Sequence, residues 1–312
     1  MTDEPFRYTL RAMIDTFANL TTIFLGIFIE AVPFLLLGSV ASGLVEVFVD
    51  QNDLARWFPR RAVTAAFAGG LLGFVFPVCE CGVVPLMQRL RQKGVPVSAG
   101  ITFLLAAPIV NPIVIASTFV AYGFGAMLVA RLILGLLVSV CVGLIFTLHP
   151  APADMIRPRR VPPHADPTML ATANGMQRLG EALRIAGEEF FSMGRYLVFG
   201  AALAASLQIL VPQKTLLDLG SGPVSSVLAM QTLAFVLSVC STVDAFISLS
   251  FVNTFGPSAV LSFLVFGPMV DIKSTMMFLG VFRSRIVAYL ILLPFLLVAL
   301  ATLFINLNFN WR

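Results

Sequence analysis

The most chemically pointed stretch of this chain is Pro77-Val-Cys-Glu-Cys-Gly-Val-Val-Pro85, where two thiols stand one residue apart between helix breakers. Proline withholds an N–H and clashes with the turn before it, so the segment is predicted to leave regular helix and to turn Cys79 and Cys81 toward one cavity. Soft sulfur ligands select soft acceptors such as Cu(I), Zn(II) and trivalent metalloids or their organic derivatives. An internal repeat pairs Cys79 with a third thiol, Cys240, and two or three converging sulfurs make a dithiol or trithiol site. Cys79, Cys81 and Cys240 are therefore the candidate metal or metalloid ligands, with Glu80 between the first two. A disulfide joining Cys79 to Cys81 across one residue is strained. Cys141, alone on a regular apolar run, reads as a packing residue.

Acids form a second constellation. Glu30, Glu80, Asp244 and Asp271 fall in or beside apolar runs, and each costs about 2.5–3.5 kcal/mol at a helix centre on insertion scales. They are expected to face a polar cavity or to be neutralised, and Glu30, Asp244 and Asp271 are candidates for coupling transport to protons. Lys273 is placed to pair with Asp271 near an interface. Glu46 and Arg131 read as interfacial anchors near span ends. Two helix breaks complete the set: Pro108-Ile-Val-Asn111-Pro112 and Gly267-Pro268-Met-Val-Asp271. Proline frees carbonyls of the preceding turn, and Asn111 or Asp271 three residues later can bond those groups or a solute, which suits paired gates. His149 and His164 fall in a polar connection and read as solvated. The sequence offers no nucleophile and base pair, phosphate loop or zincin-type helix, which weighs against an enzyme. Nothing in it asks for a cofactor.

The elements that must position these residues follow from composition. Of 312 residues 58% are hydrophobic and 12% charged, and the mean hydropathy is +0.95. A soluble globule, nearer ~45–50% apolar and ~25% charged, is excluded. In lipid every backbone amide must be satisfied within its own segment, so runs such as Leu132 to Leu148 and Val287 to Leu303 are read as helices. The fold class is an all-α polytopic membrane protein with about eight transmembrane segments. The first apolar run, Phe17 to Val49, is too long for a signal-peptide core. The formal charge of +4 comes from short basic clusters between apolar runs, as anchoring charges do, and gives no footing for a nucleic-acid partner.

Residues 149–189 divide the chain. The stretch 149–167 carries six prolines with Arg157, Arg159 and Arg160 and reads as an extended linker. Met169, Ala173, Met176, Leu179, Leu183 and Ala186 then recur at helical spacing opposite charged residues, as in an amphipathic helix on the membrane surface or packed on its own protein. The predicted layout is a first transmembrane repeat over 17–148, this cytoplasmic connection, and a second repeat over 190–308. A shift of 161 places Ala68, Leu72, Phe74, Val75, Val78 and Cys79 on identical residues ending at Cys240; a shift of 160 places Ala99, Phe103, Leu104, Pro108 and Val110 likewise and sets Asn111 on Asp271. Duplicated halves with discontinuous helices at the repeat interface are a common build of secondary transporters. Parallel and inverted repeats both fit. The distribution of basic residues favours both termini in the cytoplasm.

Four motifs in order, Pro77-x-Cys-x-Cys-Gly-x-x-Pro85-Leu86, Phe103-Leu-x-Ala-x-Pro-x-x-Asn-Pro112, Cys240-Ser-x-x-Asp-Ala-Phe246 and Gly267-Pro-Met-x-Asp-x-Lys273, resemble the bacterial predicted-permease family that includes YraQ and the organoarsenical efflux permease ArsP. The resemblance runs from Phe17 to Ile305. It implies an inner-membrane efflux permease for a thiol-reactive solute, with Cys79 and Cys81 handling it. One position departs: the family commonly has a small residue between the cysteines, and this chain has Glu80, a carboxylate that favours a cation over a neutral organoarsenical. The expected partners are a small inorganic or organometalloid solute and the lipid bilayer, with a second copy of the chain or a small thioredoxin-like protein open. The rival reading is an intramembrane thiol–disulfide oxidoreductase working with such a protein.

Overall fold

The computed structural model describes residues 4–50, 58–59, 61–148, 174–210 and 222–308. Among them are twelve α-helices and no strand: α1 Glu4–Phe48, α2 Ala62–Val75, α3 Glu80–Gln92, α4 Val97–Val110, α5 Pro112–Tyr122, α6 Ala126–Thr147, α7 Gly175–Leu210, α8 Pro223–Leu237, α9 Asp244–Leu249, α10 Pro257–Met269, α11 Ile272–Val281 and α12 Ser284–Asn308. The predicted linker over 149–167, with His149 and His164, lies outside the described residues.

Six segments are long and apolar enough to cross a bilayer: Met13–Phe48, Val97–Tyr122, Ala126–Thr147, Gly175–Leu210, Pro257–Val281 and Ser284–Asn308. The expected eight included two shorter apolar helices, α2 and α8, of 14 and 15 residues. At 1.5 Å per residue each reaches only about 21–23 Å, short of a ~30 Å hydrocarbon core. Two of the six candidate spans are tandem pairs. The chain breaks between α4 and α5 at Asn111 and between α10 and α11 at Val270–Asp271, just after Pro108 and Pro268.

The core is layered around two helices of unequal character. Nearly all of α3 is buried although it carries Glu80, Gln88 and Arg89; α1, by contrast, presents Phe17, Leu25, Ile29, Leu36 and Phe48 outward, as a lipid-facing helix does. These two pack together, α1 packs along α7, and α7 packs on α11. Elsewhere α4 lies between α2 and α6, and α10 between α8 and α12. The α1–α3 contact is backbone on backbone: a Cβ on Gly38 would come within 2.2 Å of the Gly82 carbonyl oxygen, and one on Gly82 within 2.5 Å of the Phe34 carbonyl oxygen.

Three sequence expectations change here. The cysteine segment is extended only through Cys79, and the helix of α3 begins at Glu80 with Pro85 inside it. Buried neighbours tolerate the amide proline fails to supply, as they do in membrane helices generally. From Gly175 the amphipathic stretch is the first part of one helix, Gly175–Leu210, that runs on past residue 189; of its predicted apolar stripe Ala186 is buried while Met176, Leu179 and Leu183 are exposed, and the face packed on protein is that of Ala182, Ile185 and Ala186. Arg131 is no interfacial anchor: it is 0% exposed, and its guanidinium bonds Asp244 at 2.6 Å and the Thr118 hydroxyl at 2.8 Å.

The end of α1 is finished by a residue of another element. With no basic residue in its own last turn, α1 receives Lys93, whose Nζ donates to the carbonyls of Glu46 at 2.7 Å and Val49 at 2.6 Å. These are among the carbonyls a helix end leaves without partners, and a cation there also meets the negative end of the helix dipole. Burial is the largest influence on this ammonium and lowers its pKa, with Glu46 acting in the opposite direction.

Candidate functional site

The site forms where the extended residues before α3, the turn before α9 and the first turn of α11 meet the middle of α1. Cys79 is the N-cap of α3, with φ −80° and ψ 179°, and Glu80 and Cys81 are its first helical residues. This geometry explains the one-residue spacing: the extended cap and the first turn place both thiols and the carboxylate on the same side, with their ligand atoms all within 4.8 Å of one another. Cys240 lines the same site as Cys79 and Cys81. All three cysteines are buried and free. Cys141, by contrast, is exposed on α6.

Lys273 enters from α11 and is 2% exposed. Its Nζ stands 2.9 Å from Glu80 Oε1, pairs with the Asp271 carboxylate and donates to the Ser238 carbonyl oxygen at 2.8 Å. Ser238 presents that oxygen from a left-handed conformation, φ 49°, that ends α8. Asp271 caps α11 through the Ser274 amide at 2.6 Å. Glu80 is poorly served by comparison: its Oε2 has no hydrogen-bond partner among the described residues, and Oε1 faces only the ammonium. Glu30, half-buried on α1, closes the site with Ile27 and Ala31, and its charge is felt by Lys273 and Glu80. Three carboxylates and one ammonium leave a formal charge of −2 beside three thiols. The side chains pack closely enough that no gap between them is wide enough for a water molecule.

A buried acidic site with three soft ligands, held at the discontinuities of an all-helical bundle, is the setting of a solute pathway rather than of a scaffold. Residues 16–307 match the family ArsP_1, described as a predicted permease. The chain belongs to that predicted-permease family. The UPF0718 protein YcgR of Bacillus subtilis strain 168 is 44% identical over 278 residues, covering 89% of this chain and 93% of YcgR. A protein of Streptococcus mutans, described as a putative two-component membrane permease complex subunit, is 41% identical over 275 residues, covering 85% of this chain and 87% of its own. No solved structure matches.

The permease places its other sequence-predicted residues apart from the thiols. Asn111 is buried, and its side-chain oxygen accepts from the Ile113 amide at 2.9 Å, capping α5 after the break that follows Pro108. Asn111→Ala is expected to lower stability by about 1 kcal/mol through loss of this cap while Asn111→Ser, neutral and able to accept from the same amide, keeps it; thermal unfolding in detergent reads the difference, and equal melting of the two variants would remove the capping role. Asp244 opens α9, and its carboxylate is held by Arg131 rather than turned into the cleft. Pro268 lies in the last turn of α10, two residues before the second break. The sequence reading had Lys273 beside Asp271 and missed its third partner, Glu80, because no local spacing connects α3 with α11. It also missed the salt-bridged knot of Arg89 with Glu189 at 2.8 Å and Glu46 at 3.5 Å, which ties α3 to α7 and α1.

Proposed function

We propose that this permease exports a thiol-reactive solute, a trivalent arsenical or a soft metal ion, through a site in which Cys79 and Cys81 bind, Cys240 completes the sulfur set and Glu80 favours a cation. The observation that carries the reading is that the buried, free thiols of Cys79 and Cys81 cluster with the Glu80 carboxylate, with the Cys240 thiol lining the same site. Thiolates select soft acceptors, and Glu80 Oε2 is a ligand atom with nothing else to do.

In the same reading the chain is two homologous halves. The support is the order of helices: a long helix, a short apolar helix followed after a few residues by Cys79 or Cys240, a short helix, a broken span and a final span occur once on each side of 149–174. The breaks at Asn111 and Asp271, with Pro108 and Pro268 before them, serve as paired gates. Glu30 and Asp271 line or adjoin the solute site and are the coupling candidates; Asp244 takes part through its exchangeable pairing with Arg131. The protein lies in the bacterial inner membrane with both termini cytoplasmic. A second subunit belongs to this picture on the strength of the Streptococcus mutans relative's description.

The test is uptake of arsenite, methylarsenite, Zn(II) and Cu(I) into everted vesicles from the protein's own host, comparing the native chain with the Cys79→Ser, Cys81→Ser double variant. Uptake of at least one solute is expected to fall tenfold or more in the variant. Uptake that survives the substitutions makes the thiols packing residues and overturns the site. If none of the four solutes moves, the solute class is wrong. The shared site of Cys79 and Cys240 then favours the thiol oxidoreductase, which alkylation trapping would reveal as a change in cysteine redox state during turnover.

A further inference from the structure

The buried ammonium of Lys273 occupies the position a cation solute would need. It lies against Asp271 and stands 2.9 Å from Glu80 Oε1, so a cation that takes this carboxylate as a ligand meets a like charge already on it, and the two compete for Glu80. The two carboxylates are not equally dependent on it. Asp271 is engaged by the Ser274 amide as well, whereas Glu80 has no other donor among the described residues. The ammonium is likewise not dependent on Glu80. If it leaves that carboxylate it still has Asp271 and the Ser238 carbonyl, so no unpaired buried charge results.

We infer that Lys273 is a tethered competitor of the transported cation: its ammonium neutralises Glu80 when the thiol site is unloaded, and the arriving cation takes Glu80 together with Cys79 and Cys81, whose two thiol protons are released to solvent as the metal–sulfur bonds form, and pushes the ammonium back onto Asp271. This rests on the solute reading above and narrows its substrate to a cation with affinity for sulfur. The device works by occupancy. A competitor built into the protein weakens binding by the fraction of time it holds the ligand, and so lets a soft ion that three thiols would otherwise retain leave the site. Its position is fixed from outside as well. A Cβ on Gly200 of α7 would come within 2.8 Å of the Lys273 Cα, so α7 fixes the backbone from which the ammonium reaches the carboxylates.

The experiment is Cd(II) binding to the full chain purified in detergent, read by the thiolate-to-cadmium absorption band and by calorimetry, for the native protein, Lys273→Met, Lys273→Arg, Glu80→Gln and the Glu80→Gln, Lys273→Met double variant. Lys273→Met is expected to bind Cd(II) at least tenfold more tightly yet to move it more slowly across vesicle membranes, and Lys273→Arg to resemble the native protein. The double variant, which removes one charge of each sign and so keeps the buried balance, is expected to bind no more tightly than Glu80→Gln. Binding of methylarsenite, a solute without the cation's charge, is expected to change less than threefold in Lys273→Met. Equal Cd(II) affinity in the native and Lys273→Met proteins, or a tightening that persists without Glu80, overturns the competitor while leaving the thiol site intact. Failure of the native protein to bind Cd(II) through its cysteines overturns both, and Cys79→Ser, Cys81→Ser identifies that case.

Discussion

Arg131→Met is expected to cost about 3–5 kcal/mol, enough to remove most folded protein from a detergent extract. The residue is completely buried, and its partner Asp244 is 2% exposed. Without the guanidinium, the carboxylate keeps its desolvation but loses its counter-charge, since Oδ1 has no hydrogen-bond partner among the described residues and Oδ2 is held by Arg131. Thr118 loses a donor at 2.8 Å as well. Removing both charges is a different perturbation. Apolar replacement of a whole buried pair is often neutral or stabilising, so Arg131→Met with Asp244→Leu should recover most of the loss. Size-exclusion with fluorescence detection and thermal melting measure both variants. A melting temperature for Arg131→Met within a degree or two of the native value would show that the pair contributes nothing.

Gly38→Ala and Gly26→Ala form a matched pair in one helix with opposite expected results. Both glycines lie on α1, yet the space around them differs. Nothing approaches a Cβ at Gly26 within 4 Å, whereas one at Gly38 meets the Gly82 carbonyl oxygen at 2.2 Å and its Cα at 2.4 Å. The obstacle is backbone, so no rotamer change relieves it, and α3 must move outward. Such overpacking costs typically 1–3 kcal/mol. The larger consequence is functional, because α3 carries Cys79, Glu80 and Cys81 at the end nearest this contact. Gly38→Ala is expected to lower thiol-dependent uptake at least tenfold. Gly26→Ala should be neutral or slightly stabilising, as alanine is the better helix former by about 1 kcal/mol. If the two variants behave alike in uptake and in melting, the backbone contact does not position the site.

Much of this arrangement is legible in the sequence, and the parts that are not share a cause. The cysteine pair, both helix breaks and the all-helical membrane class follow from local chemistry: proline geometry, thiol softness and runs of apolar residues. Placing Lys273 beside Asp271 was also local. What local chemistry does not carry is a partner supplied from far along the chain. Arg131, on an apolar run, reads as a snorkelling anchor until Asp244 is brought to it from 113 positions away. The helix beyond 174 was legible but its buried face was not: Met176, Leu179 and Leu183 of the predicted stripe are exposed, and α1 meets the neighbouring face of Ala182, Ile185 and Ala186. Counting apolar runs gave eight because hydropathy registers composition. The helices α2 and α8 are apolar but too short to span alone.

The long-range pairing of buried charges also sets an order on biogenesis. Arg131 is made 113 residues before Asp244, and Arg89 100 residues before Glu189. At about 5–20 residues per second, a ribosome leaves Arg131 without its carboxylate, and Arg89 with Glu46 alone, for roughly 5–20 s. During that interval the first helices have emerged but their lowest-energy packing does not yet exist. The nascent chain must wait with those side chains at the interface, in the insertion machinery or in another protein's shelter. Slowed translation between residues 131 and 244 would lengthen the wait, and pausing there should raise the proportion of chains degraded before they are complete.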